Sequence, residues 1–270
     1  MSAVTNPHRK YIRKDGLPHF FCPGCGAAQV LNYFTRACDE LGLDPKDMVC
    51  IGGVGCAARI PVYLNTDTLH GIHGRTLPWA SGIKLTKPEI PVVIFAGDGD
   101  AGSIGGNHFI QAARRNLDVT MLVVNNLNFA MTGGQVAPTT PLTFVTTTTP
   151  YGSSEPPFDL CELAITAGAT HVSRWTTAHS IQSIRAIKAA MQHKGFSMVE
   201  LIVQCPTHFG RYALGSGRPD KMVQWIKDRS LPKTRAEKMD EEERAERLIL
   251  GEFINVEKPV FRGSTTYEVG

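Results

Sequence analysis

The stretch Pro91-Val92-Val93-Ile94-Phe95-Ala96-Gly97-Asp98-Gly99-Asp100-Ala101-Gly102 decides the fold. Its first half is an apolar run with the length and β-branched content of a buried strand. Its second half is a glycine-rich turn carrying two carboxylates, Asp98 and Asp100. A second apolar run, residues 119–124, ends at Asn125-Asn126. Outward from this pair, strand-like and helix-like segments alternate. Periodicity predicts helices over residues 27–41, 77–85, 103–115, 160–167 and 181–193. Strands are expected over 49–51, 91–96, 119–125, 172–175 and 197–203, the last of these closing the set. Residues 57–64 read as a short helix broken by Pro61. Such alternation predicts an α/β fold, a parallel sheet covered by helices on both faces. Ligands then bind at the carboxyl ends of the strands, and Cys56, Asp98, Asn126 and Cys205 all follow such ends.

The turn chemistry points to a diphosphate and a metal ion. A diphosphate needs backbone N–H groups, a helix N-terminus and glycines that permit close approach. A carboxylate among those glycines would repel it unless a cation lies between them. Mg²⁺ takes oxygen ligands in octahedral geometry, typically a few protein groups plus phosphates. Asp98 and the side-chain oxygen of Asn126 are the natural pair, with the backbone carbonyl of Asn128 as a third ligand. Gly-Asp-Gly followed at this distance by Asn-Asn is how magnesium is held against thiamine diphosphate, so a thiamine-diphosphate (diphosphate-binding) fold is expected. Residues 97–102 also match Gly-x-Gly-x-x-Gly. A dinucleotide fold, however, wants an acidic residue at the end of the next strand, where this chain has Asn125-Asn126.

Cysteine usage is the second informative feature. Of seven cysteines, Cys22 and Cys25 form a Cys-x-x-Cys pair, Cys56 ends the turn Gly52-Gly53-Val54-Gly55-Cys56, and Cys205 precedes Pro206 at a strand end. Four thiolates converging from separate loops suit structural zinc or a [4Fe–4S] cluster. Zinc ribbons usually carry two such pairs, and one pair with two distant singles favours the cluster. A thioredoxin-like dithiol lacks the expected surroundings. Cys38, Cys50 and Cys161 lie in helix- and strand-like segments and read as small buried hydrophobes.

Composition narrows the class. The chain of 270 residues has 42% hydrophobic and 20% charged residues, enough for a sizeable core in one large or two small domains. A net charge of +3, without a basic tract interleaved with aromatics, gives no footing for nucleic acid. Residues 1–14 are polar and basic, without a secretory apolar segment, and no run approaches the roughly 20 apolar residues of a membrane span. A soluble cytoplasmic protein with reduced thiols is expected.

Taken with Phe21-Cys22-Pro23-Gly24-Cys25-Gly26, His73-Gly74-Arg75-Thr76-Leu77-Pro78, Ser81-Gly82-Ile83-Lys84 and Met131-Thr132-Gly133-Gly134-Gln135, these motifs carry a resemblance. The chain resembles the β (thiamine-diphosphate-binding) subunit of a 2-oxoacid:ferredoxin oxidoreductase, almost throughout to about residue 220. Cys205-Pro206-Thr207 with Phe209-Gly210-Arg211 looks most like the 2-oxoglutarate branch. The resemblance implies a CoA-dependent oxidative decarboxylation of a 2-oxoacid to an acyl-CoA and CO₂, with electrons leaving through a [4Fe–4S] cluster to ferredoxin. The contrasting reading is a non-catalytic zinc- or cluster-stabilised electron-transfer or scaffold subunit. The same enzyme acting on pyruvate is a further alternative.

The family also implies roles. Cys22, Cys25, Cys56 and Cys205 match its cluster ligands. Asp98, Asn126 and Asn128 match its magnesium site. Gly97, Gly99 and Asp100 match its diphosphate contacts, and Val54, Gly55, Cys56 and Ala57 the turn beside the cofactor ring. Met131 and Thr132 match the segment near the thiazolium. His73 and Gly74 belong to a motif against the cofactor, and His73 is a candidate for proton transfer. Some relatives carry Lys where this chain has Gly133, so Arg59 becomes the candidate for the substrate carboxylate. No segment resembles the half that supplies the pyrimidine-activating glutamate. That residue and the CoA site are therefore expected from an α subunit, with heterodimer pairs forming a heterotetramer.

Two segments remain. Residues 128–157 are rich in Thr, Pro and Gly and are expected as an active-site and subunit-contact loop. Residues 1–218 are expected as the cofactor- and cluster-binding domain. Residues 219–270 are expected as a charged, partly helical arm for partner contact, with Leu248, Ile249, Leu250 and Phe253 as its apolar face.

Overall fold

A computed structural model describes residues 7–244 and 246–262. Residues 1–6 of the polar N-terminal stretch and 263–270 of the C-terminal segment lie outside the described residues. The chain builds α1 (Gly26–Glu40), β1 (Val49–Gly52), β2 (Asp67–His70), α2 (Thr76–Thr86), β3 (Val92–Gly97), α3 (Gly106–Arg114) and β4 (Val119–Asn125). There follow α4 (Leu160–Ala167), β5 (His171–Thr176), α5 (Ser180–Gln192), β6 (Phe196–Ile202), α6 (Arg211–Ala213) and α7 (Pro219–Arg229). The chain ends with β7 (Ser230–Pro232), α8 (Lys233–Ala236), α9 (Glu241–Arg244) and β8 (Leu248–Asn255).

The strands form an eight-stranded sheet in the order β2-β1-β3-β4-β6-β5-β8-β7. The first six strands are parallel, and β8 runs antiparallel to β5. Alternate residues of each central strand enter different cores. Val93, Phe95, Leu122, Val124, Val199 and Leu201 pack with residues of α1 and α5. Val92, Ile94, Ala96, Met121, Val123 and Met198 pack with residues of α2, α3 and α4. Burial on both faces explains why the central strands read as continuous apolar runs. Edge-to-face pairs lock each side, Phe34 on Phe95 at 5.0 Å and Phe109 on Phe196 at 5.8 Å. In α1 the buried Val30, Phe34, Ala37 and Cys38 recur at helical spacing, as its periodicity predicts. Asp159 caps α4 by accepting from the amides of Cys161 and Glu162, and Gly168 closes it in the left-handed region at φ 107°.

Several expectations are corrected. The helix expected over 57–64 is two short 3₁₀ turns, Ala57–Arg59 and Pro61–Tyr63, because Pro61 starts the second. The helix expected from residue 103 is preceded by a π-helical turn, Asp100–Ile104. The sheet does not end near residue 203: β8 adds to β5, and β7 to β8. Within the expected arm, Met222 and Ile226 of α7 are buried, and Leu250 of β8 is buried while Phe253 packs on the core. The apolar residues read as a partner-facing stripe thus serve the chain's own sheet edge at least in part.

Strand order sets where a ligand can lie. From β1 the chain moves outward to β2 and then returns to place β3 on the other side of β1. The crevice beyond the carboxyl ends of β1 and β3 is therefore a topological switch point. Registry keeps neighbouring ends level: Gly97 pairs with Val124, and Asn125 with Ile202.

Candidate cofactor and cluster site

A cleft of about 100 Å³ opens at that switch point. After β1 it is lined by Val54, Gly55, Cys56 and Ala57, and after β3 by Gly97, Asp98, Gly99 and Asp100. After β4 come Asn126, Asn128, Phe129, Ala130, Met131 and Thr132, with Val124 below and His73 from the turn before α2. The sequence motifs from three separate strand ends thus meet in one place. Among the described residues, the lining does not include Arg59 or Gly74. The Arg59 guanidinium lies 5.9 Å from the ring centre of Phe20. Gly74 acts through Asp100, its amide donating to Asp100 Oδ1 at 2.7 Å.

The carboxylates are buried and close to backbone. Burial pushes the Asp98 carboxyl up to about 7, against a hydrogen bond from Thr139 and backbone donors that favour its charged form. Asp100 is likewise raised by burial, opposed by the Gly74 amide and by His73. His73 Nδ1 lies 2.6 Å from Asp100 Oδ1, close enough for an ion pair though poorly aligned as a hydrogen bond. Asp100 Oδ2 has no hydrogen-bond partner, and neither does the buried side-chain oxygen of Asn128. A Cβ on Gly53 would overlap the Asp100 carboxylate, and one on Gly99 would overlap the Phe129 ring. A side chain at either place would force Asp100 or Phe129 out of its present position.

This donor set fits a hydrated hard cation and a diphosphate. Asp98 is buried in a charged form only with a positive partner, and Asn126 offers an oxygen beside it. Asn126 and Asn128 hold each other, the Asn128 side-chain amide donating to the Asn126 carbonyl at 2.7 Å. Leu127 between them takes φ 63°, which turns the chain across the strand end.

The four thiols also converge. Cys56 faces the cleft. Burial, together with the neighbouring Cys205 and Cys22, pushes the Cys25 thiol up to about 11. Burial, with Cys25, Cys205 and Cys22 nearby, pushes Cys56 up to about 12. All four are free thiols. Among the described residues, no group of three or more His, Cys, Asp or Glu is gathered tightly enough for a single metal ion. Cys38 and Cys50 are core residues, as expected. Cys161 is buried too, and its thiol donates to Glu200 Oε2 at 3.3 Å.

Sequence reasoning missed residues that act at long range. Gln204 is buried beside Cys205 and donates to the Gly24 carbonyl at 3.1 Å, while its own carbonyl accepts from Gly26 N at 3.0 Å. Phe129 lines the cleft and meets His73 ring to ring at 6.1 Å. Thr139, from the long loop, donates to Asp98 Oδ2 at 2.5 Å. The loop therefore reaches the site, as expected of residues 128–157, while Tyr151 stands fully exposed. An acidic residue within the apolar run Met198-Val199-Glu200-Leu201-Ile202 was a signal available in the sequence.

Comparison with known proteins agrees with this geometry. Residues 52–201 match the family model described as thiamine pyrophosphate enzyme, C-terminal TPP binding domain. The chain therefore carries the thiamine-diphosphate-binding domain of the thiamine enzymes. It is 49% identical over 256 residues to the 2-oxoglutarate synthase subunit KorB of Methanocaldococcus jannaschii, covering 95% of this chain and 94% of that one. It is 52% identical over 198 residues to the KorB subunit of Archaeoglobus fulgidus, covering 73% and 74%. Among solved structures it superposes on 2-oxoglutarate:ferredoxin oxidoreductase from Magnetococcus marinus, determined with 2-oxoglutarate, coenzyme A and succinyl-CoA bound. The TM-score is 0.83 at 30% identity, over 95% of this chain and 87% of that chain. The chain belongs to the β-subunit family of the 2-oxoacid:ferredoxin oxidoreductases, alongside the KorB subunits of the 2-oxoglutarate branch.

Proposed function

We propose that this chain is the cofactor-binding and electron-exit subunit of an enzyme that oxidatively decarboxylates 2-oxoglutarate with coenzyme A and passes the electrons to ferredoxin. One observation carries the reading. Asp98 and Asn126, suited to a magnesium diphosphate, line the same cleft as Cys56, suited to a cluster. Electrons released in that cleft need cross only the wall that Cys56 forms.

When bound, thiamine diphosphate supplies the carbanion chemistry, and the protein orients it. Asp98, the Asn126 side chain and the Asn128 carbonyl would hold Mg²⁺, whose charge would offset that of a diphosphate. Gly97, Gly99 and Asp100 would border the diphosphate, and Val54, Gly55, Ala57, Met131 and Thr132 would shape the walls of the cofactor pocket. Cys22, Cys25, Cys56 and Cys205 would hold the [4Fe–4S] cluster. His73 faces the cleft with Asp100 behind it, a pair able to hold or move a proton at Nε2. Arg59 remains the chain's candidate for the distal carboxylate of the substrate, which requires its guanidinium to leave Phe20.

The cleft supports an incomplete site. Its ~100 Å³ is well below the roughly 300–1,000 Å³ of a closed small-molecule site. An α subunit supplying the pyrimidine-activating glutamate and the CoA site would close it, two such pairs forming a heterotetramer. The exposed charged face of the segment after residue 218 is a second contact for that partner. Among the described residues no helix is long and apolar enough to cross a membrane.

The test is a panel of 2-oxoacids assayed anaerobically with CoA and a viologen dye on the complex. Turnover of 2-oxoglutarate well above pyruvate is expected. Equal or faster turnover of pyruvate would remove the substrate assignment, and dye reduction with none of the acids would remove the enzymatic reading.

A further inference from the structure

We infer that Thr139 is the positioning residue of the metal ligand Asp98, standing beside a buried polar chain that crosses the sheet from Asn125 to Arg174. The inference deepens, and rests on, the magnesium reading given above.

From Asn125 to Asp159 the chain is continuous in hydrogen bonds, and at its other end Asn125 Oδ1 lies against the Thr139 hydroxyl. The Thr139 hydroxyl lies 2.5 Å from Asp98 Oδ2 and 3.1 Å from Asn125 Oδ1. Asn125 Nδ2 donates to Glu200 Oε1 at 2.8 Å, and Asn125 Oδ1 also accepts from Leu127 N at 2.9 Å. Glu200 Oε2 accepts from Arg174 Nε at 2.5 Å, and Arg174 Nη2 reaches Asp159 Oδ1 at 2.7 Å. Thr139, Asn125, Glu200 and Arg174 are all buried.

Each link constrains the next. Glu200 in its charged form only accepts, so it fixes the amide of Asn125 with its nitrogen toward β6 and its oxygen toward Thr139 and Leu127. Thr139 has one hydroxyl proton, and the shorter contact assigns it to Asp98. With Oδ2 committed to Thr139, Asp98 offers a cation its other oxygen. Mg²⁺ demands near-ideal octahedral geometry at ~2.0–2.1 Å, so a carboxylate locked as a one-oxygen ligand is an advantage. The Leu127 amide bond also ties the same network to the turn that carries Asn126 and Asn128. The carboxylate that Thr139 holds lines the cleft.

The experiment uses the full chain purified with its natural partner chains and stripped of cofactor and divalent metal. Mn²⁺ is then titrated in the presence of thiamine diphosphate, followed by electron paramagnetic resonance and calorimetry. Thr139→Val is expected to weaken Mn²⁺ binding by roughly 10–100-fold, the usual effect of losing an outer-shell partner. Thr139→Ser, which keeps the hydroxyl, should bind as the parent does. A purely structural role would shift the melting temperature and leave the folded protein's Mn²⁺ affinity unchanged. Parental affinity in Thr139→Val, or a tenfold loss in folded Thr139→Ser, would overturn the inference. If Thr139→Val does not fold, Thr139→Ser alone decides by the same criterion. Asp98→Ala is run alongside: parental Mn²⁺ affinity there would mean that the magnesium reading itself fails.

Discussion

Gln204 Nε2 donates to the carbonyl of Gly24 at 3.1 Å, which ties the Cys22–Cys25 turn to the strand end that carries Cys205. The two residues are 180 positions apart in the chain. Gln204 also accepts from Thr177 at 2.6 Å and donates to Gln29, so its amide is locked in one orientation. Substituting Gln204→Leu strands the buried Thr177 hydroxyl, at about 1–3 kcal/mol, and releases Gly24 and Gln29 from their amide link to this strand end. Lower iron and sulfide per chain is expected, with faster loss of the cluster in air. Thiamine diphosphate binding should be much less affected, because Asp98 and Asn126 stand on other strands. Iron analysis of the anaerobically purified variant checks this, and full iron content would refute it.

Gly53→Ala should disrupt the diphosphate side of the site. The new methyl would overlap the Asp100 carboxylate, which also receives the Gly74 amide and faces His73. Overpacking of this kind typically destabilises by about 1–3 kcal/mol. Calorimetry should show a large loss of cofactor affinity and a lower melting temperature. Unchanged binding would mean that Asp100 has room to move.

The seam between β5 and β8 should be acid-sensitive. His171 is buried with Nε2 at 3.3 Å from Glu252 of β8, and its ring lies 5.5 Å from that of His193. Burial lowers the pKa of His171 below the ordinary 6.5, with Glu252 opposing and His193 assisting. Burial also lowers His193, opposed by Asp118, Glu257 and Glu252. Both folded-state values lie below the unfolded one, so the unfolded chain binds more protons as pH falls. Their contribution is therefore intact above about pH 7 and is lost on acidification toward about pH 5. Melting curves across that range should show falling stability, and His171→Gln should flatten the trend. Identical slopes in parent and variant would contradict it.

Alone, the chain should bind thiamine diphosphate weakly and turn over no 2-oxoacid. Its cleft encloses only about 100 Å³ and contributes no glutamate to its lining among the described residues. Adding the α subunit should restore both binding and turnover. Full activity of the purified chain by itself would show that the missing glutamate lies within it.

The legible parts of this protein are those in which local sequence and tertiary role coincide. Residues 92–96 and 119–125 are buried on both faces, so their apolar runs announce strands, and the glycines, acids and asparagines at their ends announce a cleft. β2 was missed because Asp67-Thr68-Leu69-His70 is an exposed edge with no apolar run. β8 was missed because it is only partly buried and lies beyond the charge-rich residues 233–247. Thr139 and Gln204 carry no motif, since their meaning lies in partners 41 and 180 residues away. Arg59 shows the converse: a suitable residue type in a suitable place, yet turned onto Phe20.

The most direct test of the account is the visible spectrum of the anaerobically purified complex, loaded with magnesium and thiamine diphosphate, before and after addition of 2-oxoglutarate and CoA. A brown protein with about four irons bound through this chain's four thiols is expected, whose absorbance bleaches with 2-oxoglutarate and CoA and returns on adding oxidised ferredoxin. A colourless chain carrying one zinc, or a brown one that fails to bleach, would contradict it.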